Sequence, residues 1–303
     1  MHTEKQVRTM SRCGLLFVML AALTWGTVGV TTKTLYGLAG TTPLSVGFFR
    51  LALAVPALWL GCWCLLGRRM FQVPWRDAAM MTLLGFMTAL YQVCYFSAIA
   101  WVGVAVATLI TLCTAPVMVA VLAASLTAER LTAPGWLALG GALAGTSMLI
   151  AGQAASEVHG ATGSGVGLAL ISALGYAIVM LVSRTLAGRY HPLQPVAIGF
   201  SVGALLLLLG ALATGLVVHY PWEGWVLLGY LGVVPTALAY GIFLAGLRYT
   251  SATTASIATL LEPLTSTILA WLLFDEQLST VGCLGMLLLC SALILLYGSH
   301  DRQ

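Results

Sequence analysis

The sequence has very little charge. Lys, Arg, Asp and Glu make up 7% of its 303 residues, against about one quarter in a typical soluble domain. Hydrophobic residues make up 60%, and the mean hydropathy is +1.00. This composition excludes an ordinary soluble enzyme and leaves no room for a large soluble domain. The net charge of +4 is modest and indicates no nucleic-acid partner.

Several motifs are missing as well. The apolar runs are continuous rather than alternating, which argues against a β-barrel. No Gly-x-x-x-x-Gly-Lys-Ser/Thr motif is present, so ATP hydrolysis within this chain is unsupported. The seven cysteines lack metal-finger spacing, and the histidines lack helical ligand spacing. We therefore expect no metal, no cofactor and no disulfide framework.

The charged residues divide the sequence into ten segments of membrane-spanning length, about 20 apolar residues each. The stretch 78–128 carries no charge and is too long for one crossing, so it predicts two helices with a tight turn near 98–103. A short basic tail, residues 1–12, precedes the first helix, which we expect to be retained rather than cleaved as a signal peptide. The predicted helices are 13–33, 43–66, 76–97, 102–126, 132–152, 165–186, 194–216, 224–246, 250–274 and 279–298.

The basic residues fall on one side of this predicted topology. With the N-terminus in the cytoplasm, 11 of the 13 Lys and Arg residues lie inside, while Lys33 lies outside and Arg50 lies within a helix. Cytoplasmic loops of membrane proteins carry such an excess of basic residues. Both termini are therefore predicted to be cytoplasmic, which an even number of helices requires. The acidic residues predicted outside are Glu157, Glu223, Asp275 and Glu276.

An internal repeat appears at an offset of 147 residues. Pro116 then matches Pro263, and Glu129 matches Glu276, within a longer run of apolar identities. Five helices per half is an odd number, so the second half is predicted to lie inverted relative to the first. Inverted repeats are a recurrent plan of secondary transporters. The predicted halves are residues 1–152 and 153–303.

The order and spacing of short motifs resemble a known family. The motifs are Leu23-Thr24-Trp25-Gly26, Pro43 followed by Arg50, Pro116, Ala128-Glu129-Arg130-Leu131, Glu262-Pro263 and Asp275-Glu276-Gln277-Leu278. Together they resemble the drug/metabolite transporter superfamily, specifically its ten-helix EamA branch, over nearly the whole chain. The nearest subgroup is the bacterial aromatic amino-acid exporters of the YddG type. The resemblance implies export of metabolites across the bacterial inner membrane through a central cavity, without ATP.

Two ionisable residues lie within predicted helices. Glu262 stands at the middle of the uncharged stretch 249–274, where a carboxylate is costly unless it is paired, wet or protonated. Three roles are open for Glu262. It carries protons, it binds a substrate ammonium group, or it is protonated and caps the backbone groups that Pro263 leaves without a partner. Arg50 either binds a substrate carboxylate through a bidentate fork, or it extends to the outer surface or binds loop carbonyls. The second role is favoured, because the resemblance places an arginine here across substrates that lack carboxylates.

Aromatic residues recur near the predicted helix centres. Tyr91 and Tyr95 are four residues apart and share a helix face, and an offset of 151 pairs Trp25 with Tyr176. A cavity lined by such rings suits an apolar or aromatic substrate. For any single ring, packing or an interfacial belt is the favoured explanation. The candidate substrate-binding residues are Trp25, Tyr91, Tyr95, Trp101, Tyr176, Tyr240 and Glu262.

Three prolines interrupt predicted helices. Pro116, Pro235 and Pro263 each remove a backbone hydrogen bond and are candidate hinges, with a static kink as the alternative. Glycines spaced four apart let helices approach closely. Because ten helices have ample internal contacts to use them, we expect a monomer. These glycines are Gly141, Gly145, Gly199 and Gly203.

The sequence therefore predicts an alternating-access exporter of amino acids and related metabolites, aromatic or apolar in character, surrounded by membrane lipid. A drug, purine or nucleotide-sugar transporter of the same superfamily is the near alternative. A membrane-embedded enzyme would need acids or histidines clustered at one membrane face, and none is present, so no enzymatic activity is expected. A channel would need a polar pore lining, whereas the cavity candidates are apolar rings.

Overall fold

The structure is a computed structural model that describes residues 2–126, 129, 131–153, 163–274 and 279–299. Every regular element in these ranges is helical. The α-helices are α1 His2–Leu38, α2 Pro43–Leu66, α3 Trp75–Leu126, α4 Ala133–Gln153, α5 Gly163–Ala187, α6 Leu193–Thr214, α7 Trp222–Gly232, α8 Ala239–Leu247, α9 Ala252–Ala258, α10 Leu261–Phe274 and α11 Thr280–Ser299. Several residues with predicted roles lie outside the described residues: the basic residues Arg130 and Arg302, predicted inside; the acidic residues Glu157, Asp275 and Glu276, predicted outside; and His159, predicted not to bind a metal.

Within the described ranges, nine stretches are long and apolar enough to cross a membrane. This confirms the predicted all-helical membrane class. Two of the nine contain two α-helices each: α7 and α8 share one stretch, and α9 and α10 share another. The first helix begins at His2, so the predicted basic tail continues into helix rather than standing apart from it.

The helix α3 contains two predicted helices that fold back on each other. Its 52 residues would measure about 78 Å if straight, far more than a hydrocarbon core of about 30 Å. The backbone leaves the helical region at Gly103, with φ 79° and ψ 164°, a conformation that glycine adopts without a Cβ clash. The Tyr95 hydroxyl lies 2.6 Å from the Thr108 hydroxyl, 13 residues further on. Since a straight helix would separate these residues by about 20 Å, the chain reverses between them.

The stretch from α7 to α8 is continuous but changes form around Pro235. Residues Val233–Leu238 are π-helical. Proline has no N–H, so the Leu231 carbonyl four residues earlier lacks its usual donor. The Thr236 hydroxyl donates to that carbonyl at 2.7 Å. A threonine side chain thus replaces the backbone bond that the proline removes.

The stretch formed by α9 and α10 is interrupted at residues 259–260. Pro263 cannot donate to the Thr259 carbonyl, and the Glu262 N–H donates to it instead at 3.0 Å. The helix predicted over 250–274, with an interruption expected at Pro263, is therefore two helices, and the break lies just before the proline. Pro116, the proline that the predicted repeat pairs with Pro263, lies in an unbroken part of α3.

Glycines allow the helices to approach closely. A methyl group added to Gly145 in α4 would lie 2.6 Å from the Leu289 nitrogen in α11. A methyl group added to Gly199 in α6 would lie 2.6 Å from the Leu84 side chain in α3. Both predicted glycine pairs therefore take part in contacts within the chain, as small residues do between membrane helices.

A polar network joins the two predicted halves at the end of the bundle predicted to face the cytoplasm. Asp77 accepts hydrogen bonds from Arg189 Nη1 at 3.0 Å and from the Tyr190 hydroxyl. The Arg248 Nε donates to the Ala187 carbonyl at 2.7 Å. Burial and the hydrogen bond to Asp77 raise the pKa of Tyr190 to about 12, so its phenol stays protonated and donates at neutral pH.

We expect Gly145→Ala to lower the free energy of unfolding relative to Gly140→Ala in the same helix. Overpacking of a close contact costs about 1–3 kcal/mol, whereas a methyl group at Gly140 meets nothing within 4 Å. Both variants gain the same helix propensity, so the difference isolates the contact. Thermal unfolding of the purified proteins in detergent measures it. Equal midpoints would contradict the close approach of α4 and α11.

Candidate functional site

Four of the predicted aromatic residues belong to one connected set. The ring centroids of Trp25 in α1 and Tyr240 in α8 are 4.8 Å apart. Tyr240 also lies close enough to Tyr91 in α3 to interact with it electrostatically. Tyr91 in turn meets Tyr176 in α5 edge to face, with 6.0 Å between centroids. Rings from four separate elements are thus brought together, and we refer to these four residues as the aromatic cluster.

Two phenylalanines that were not predicted pack against this cluster. Phe200 in α6 lies 4.8 Å from Tyr240, and Phe243 in α8 lies 5.1 Å from Trp25, measured between ring centroids. Both are fully buried. They lie in uniformly apolar segments, where nothing in the sequence distinguishes a ring beside the site from an ordinary core residue.

The aromatic cluster also reaches the interruption between α9 and α10. The Tyr176 hydroxyl donates to the Thr259 hydroxyl oxygen at 3.2 Å, and Thr259 is one of the two residues at the interruption. Thr259 was not predicted, because a threonine in an apolar stretch usually bonds its own helix. Interrupted helices near the bilayer midplane mark the substrate sites of several transporter folds.

Two residues of opposite charge flank the cluster. Glu262, in the first turn of α10, interacts electrostatically with Arg50 in α2. Glu262 also acts on Tyr95 and Tyr176, and Arg50 acts on Tyr240. Both are only partly buried, and within the described chain they form no ion pair with each other. The two charges therefore interact electrostatically without direct contact.

Two donors beside the cluster have no partner. Among the described residues, Trp25 Nε1 and Arg50 Nε are buried donors, and neither donates a hydrogen bond to any acceptor. Leaving a buried donor unsatisfied costs about 1–3 kcal/mol. A bound molecule that carries acceptor oxygens would satisfy both donors.

The remaining predicted residues are not all part of this cluster. Trp101 is 55% exposed, and no ring contact among the described residues links it to the other aromatics. Tyr95 contacts Thr108 and Phe96 and is tied to the cluster through Glu262. Among the candidate hinges, Pro235 and Pro263 coincide with irregular backbone, whereas the helix is regular at Pro116.

A separate cavity lies where α3 ends. Its volume is about 220 Å³. Glu129 Oε1 accepts a hydrogen bond from the Ala252 N–H at 3.4 Å, so this carboxylate connects the end of α3 to the start of α9. In the described part of the chain, no three His, Cys, Asp or Glu side chains come together as a metal site would require. The cavity is lined by Ala120, Ala124, Glu129, Leu131, Trp136 and Thr253.

Comparison with known proteins finds transporters. A model of the EamA-like transporter family matches residues 12–151 and 163–298. The uncharacterized transporter YwfM of Bacillus subtilis is 30% identical over 292 residues, which cover 95% of each chain. The uncharacterized inner membrane transporter YicL of Salmonella typhimurium is 28% identical over 303 residues, covering 97% of this chain and 98% of YicL.

A solved crystal structure shares the fold. It superposes with a TM-score of 0.82 at 19% identity and covers 95% of this chain and 98% of its own. The names of the sequence relatives specify transport without a substrate. The two matches to the family model together cover most of the chain. The chain therefore belongs to the EamA-like transporter family, and it is a multi-pass membrane transporter.

Proposed function

We propose that this transporter exports amino acids with aromatic or apolar side chains, and related metabolites, across the bacterial inner membrane. The observation that carries the proposal is the aromatic cluster, flanked by the opposite charges of Arg50 and Glu262. Rings offer flat apolar surfaces on which a similar side chain stacks. The charges favour an amino acid over the alternative purine or drug substrate, since an amino acid carries both signs of charge at neutral pH.

Transport is proposed to proceed by alternating access between two inverted halves with ten crossings, residues 1–152 and 153–303. The reversal within α3, one of the nine apolar stretches of the described chain, supports a tenth crossing. The family model matches twice, once in each half. Inverted repeats exchange conformations to open a central site to either side. In this scheme the backbone irregularities at Pro235 and Pro263 are the preferred hinges.

Counterflow in proteoliposomes tests the substrate class. Purified protein is reconstituted with unlabelled substrate inside, and uptake of labelled tryptophan, threonine or adenine is measured. We expect tryptophan to exchange fastest, because its ring stacks on the aromatic cluster, and adenine not to exchange. Liposomes without protein are the control. Exchange of adenine with no exchange of either amino acid would overturn the proposal.

We expect alanine at Trp25 or Tyr176 to weaken tryptophan transport more than threonine transport. Loss of one stacking ring removes roughly 0.5–1.5 kcal/mol beyond the lost area, which is up to about tenfold in affinity. The control is Trp222→Ala, whose ring is 76% exposed in α7. Concentration dependence of counterflow gives the comparison. An equal loss for both substrates in folded protein would mean that the rings serve packing or gating.

The inverted topology is tested by labelling single cysteines from outside the cell, in a background without the native cysteines. We expect a cysteine at Glu223 to react with an impermeant maleimide and cysteines at Arg68 and Arg69 not to react, because basic loops stay inside. All three side chains are exposed in the structure, so burial does not protect any of them. Permeabilised cells provide the control for reactivity. Labelling of Arg69→Cys in intact cells would contradict the predicted orientation.

A further inference from the structure

We propose that Arg50 and Glu262 form a divided binding site for a zwitterion, in which Arg50 binds the substrate carboxylate and Glu262 binds its ammonium group. The inference rests on the proposed amino-acid function and adds a requirement to it. A substrate must present both charges, at a separation that fits between two helices. Neither an amine nor a carboxylic acid alone satisfies the site.

The carboxylate end is defined by unpartnered donors. Arg50 Nε and Trp25 Nε1 are buried and lack hydrogen-bond partners among the described residues. Both side chains interact with Tyr240. The Trp25 ring centroid lies 4.8 Å from that of Tyr240, and Arg50 interacts with Tyr240 electrostatically. A carboxylate has two oxygens and accepts several hydrogen bonds, and arginine binds it in a planar fork. One bound carboxylate would therefore satisfy donors from α1 and α2 together.

The ammonium end is defined by Glu262. A methyl group added to Gly26 would lie 2.9 Å from the Glu262 carbonyl, so the start of α10 packs directly against the helix that carries Trp25. Glu262 as a whole is half-buried, and it interacts electrostatically with Tyr176. An ammonium group donates three hydrogen bonds and accepts none, which suits a carboxylate with free oxygens.

The separation between the two charges favours a ligand over a direct ion pair. Charged groups inside a membrane are expensive unless paired, yet Arg50 and Glu262 interact electrostatically without ion-pair contact between their described side chains. A zwitterion placed between them with its carboxylate toward Arg50 neutralises both charges at once. The rings of Tyr91, Tyr176 and Tyr240 lie among these groups and would contact the substrate side chain.

The first test uses the unaltered protein. Tryptophan, tryptamine and indole-3-propionate share the indole ring. Tryptophan carries both charges, tryptamine carries only the ammonium, and indole-3-propionate carries only the carboxylate. Each competes with labelled tryptophan in proteoliposome counterflow. We expect both analogues to compete at least about tenfold more weakly than tryptophan, the effect of losing one charge-assisted hydrogen bond. Equal competition by all three compounds would overturn the divided site.

The second test assigns each charge to its residue. Arg50→Gln should weaken competition by tryptophan and by indole-3-propionate about tenfold or more, and it should leave competition by tryptamine unchanged. Glu262→Gln should weaken competition by tryptophan and by tryptamine, and it should leave competition by indole-3-propionate unchanged. Arg184→Gln is the matched control, because its Nε is also buried and unpartnered but lies in the last turn of α5. Arg50→Lys keeps the charge and should preserve the preference for compounds that carry a carboxylate.

The outcomes separate this inference from the proposed function. One outcome is that tryptophan exchanges in the unaltered protein while each variant weakens competition by all three compounds equally. In that case the two residues are structural, and only the divided site is wrong. If tryptophan does not exchange at all, the proposed function fails and the divided site with it. Thermal unfolding of each variant in detergent identifies loss of folding. Where a variant does not fold, the comparison of the three compounds on the unaltered protein decides.

Discussion

Backbone hydrogen bonding is the constraint on which the rest of this structure depends, because hydrocarbon offers no partner for a free N–H or C=O group. Where prolines remove a backbone donor, the chain supplies substitutes: the Thr236 hydroxyl for the Leu231 carbonyl, and the Glu262 N–H for the Thr259 carbonyl. Irregular backbone is tolerated in membranes only where protein or a water-filled cavity surrounds it. Thr259 and Thr236 are both buried, which satisfies this condition.

The same constraint places the candidate site. An interruption within a membrane stretch needs polar neighbours, and the Tyr176 hydroxyl supplies one for Thr259. Polar and charged groups are thereby drawn to one region of an otherwise apolar bundle. Arg50 and Glu262 interact electrostatically there, and such an attraction is stronger in a low-dielectric interior than in water. They also interact electrostatically with Tyr240 and Tyr176 of the aromatic cluster.

Much of the fold follows from the sequence, because membrane crossing needs long apolar runs whose length is fixed by the bilayer. The reversal near 98–103 was predicted from the length of an uncharged stretch, and the structure has it at Gly103. The sequence also predicts that Pro263 interrupts its helix, but it does not place the break at residues 259–260. A proline indicates that a backbone hydrogen bond is lost. The residue at which the helix is interrupted depends on which neighbouring groups replace that hydrogen bond.

The candidate site was predicted only in part. Trp25 and Tyr240 stand out because large rings with polar atoms are conspicuous deep in apolar helices, and the structure brings them together. Phe200 and Phe243 have no such mark, since apolar rings in apolar helices look alike whether they face the site or the lipid. The contact of Glu129 with the start of α9 depends on how distant segments pack. Sequence spacing carries no information on such a contact.

The difference between Pro263 and Pro116 has a consequence for the energetics of a carrier built from inverted halves. Such a carrier has two access states of equal free energy only if its halves are alike. The helix at Pro263 is interrupted and carries Glu262, while the positions that the 147-residue offset pairs with it have a regular helix and Ala115. In the proposed alternating-access scheme, bending the interrupted half would break fewer backbone hydrogen bonds than bending the regular one. The empty protein would then have a preferred resting orientation, set by its own sequence before any substrate or ion gradient acts on it.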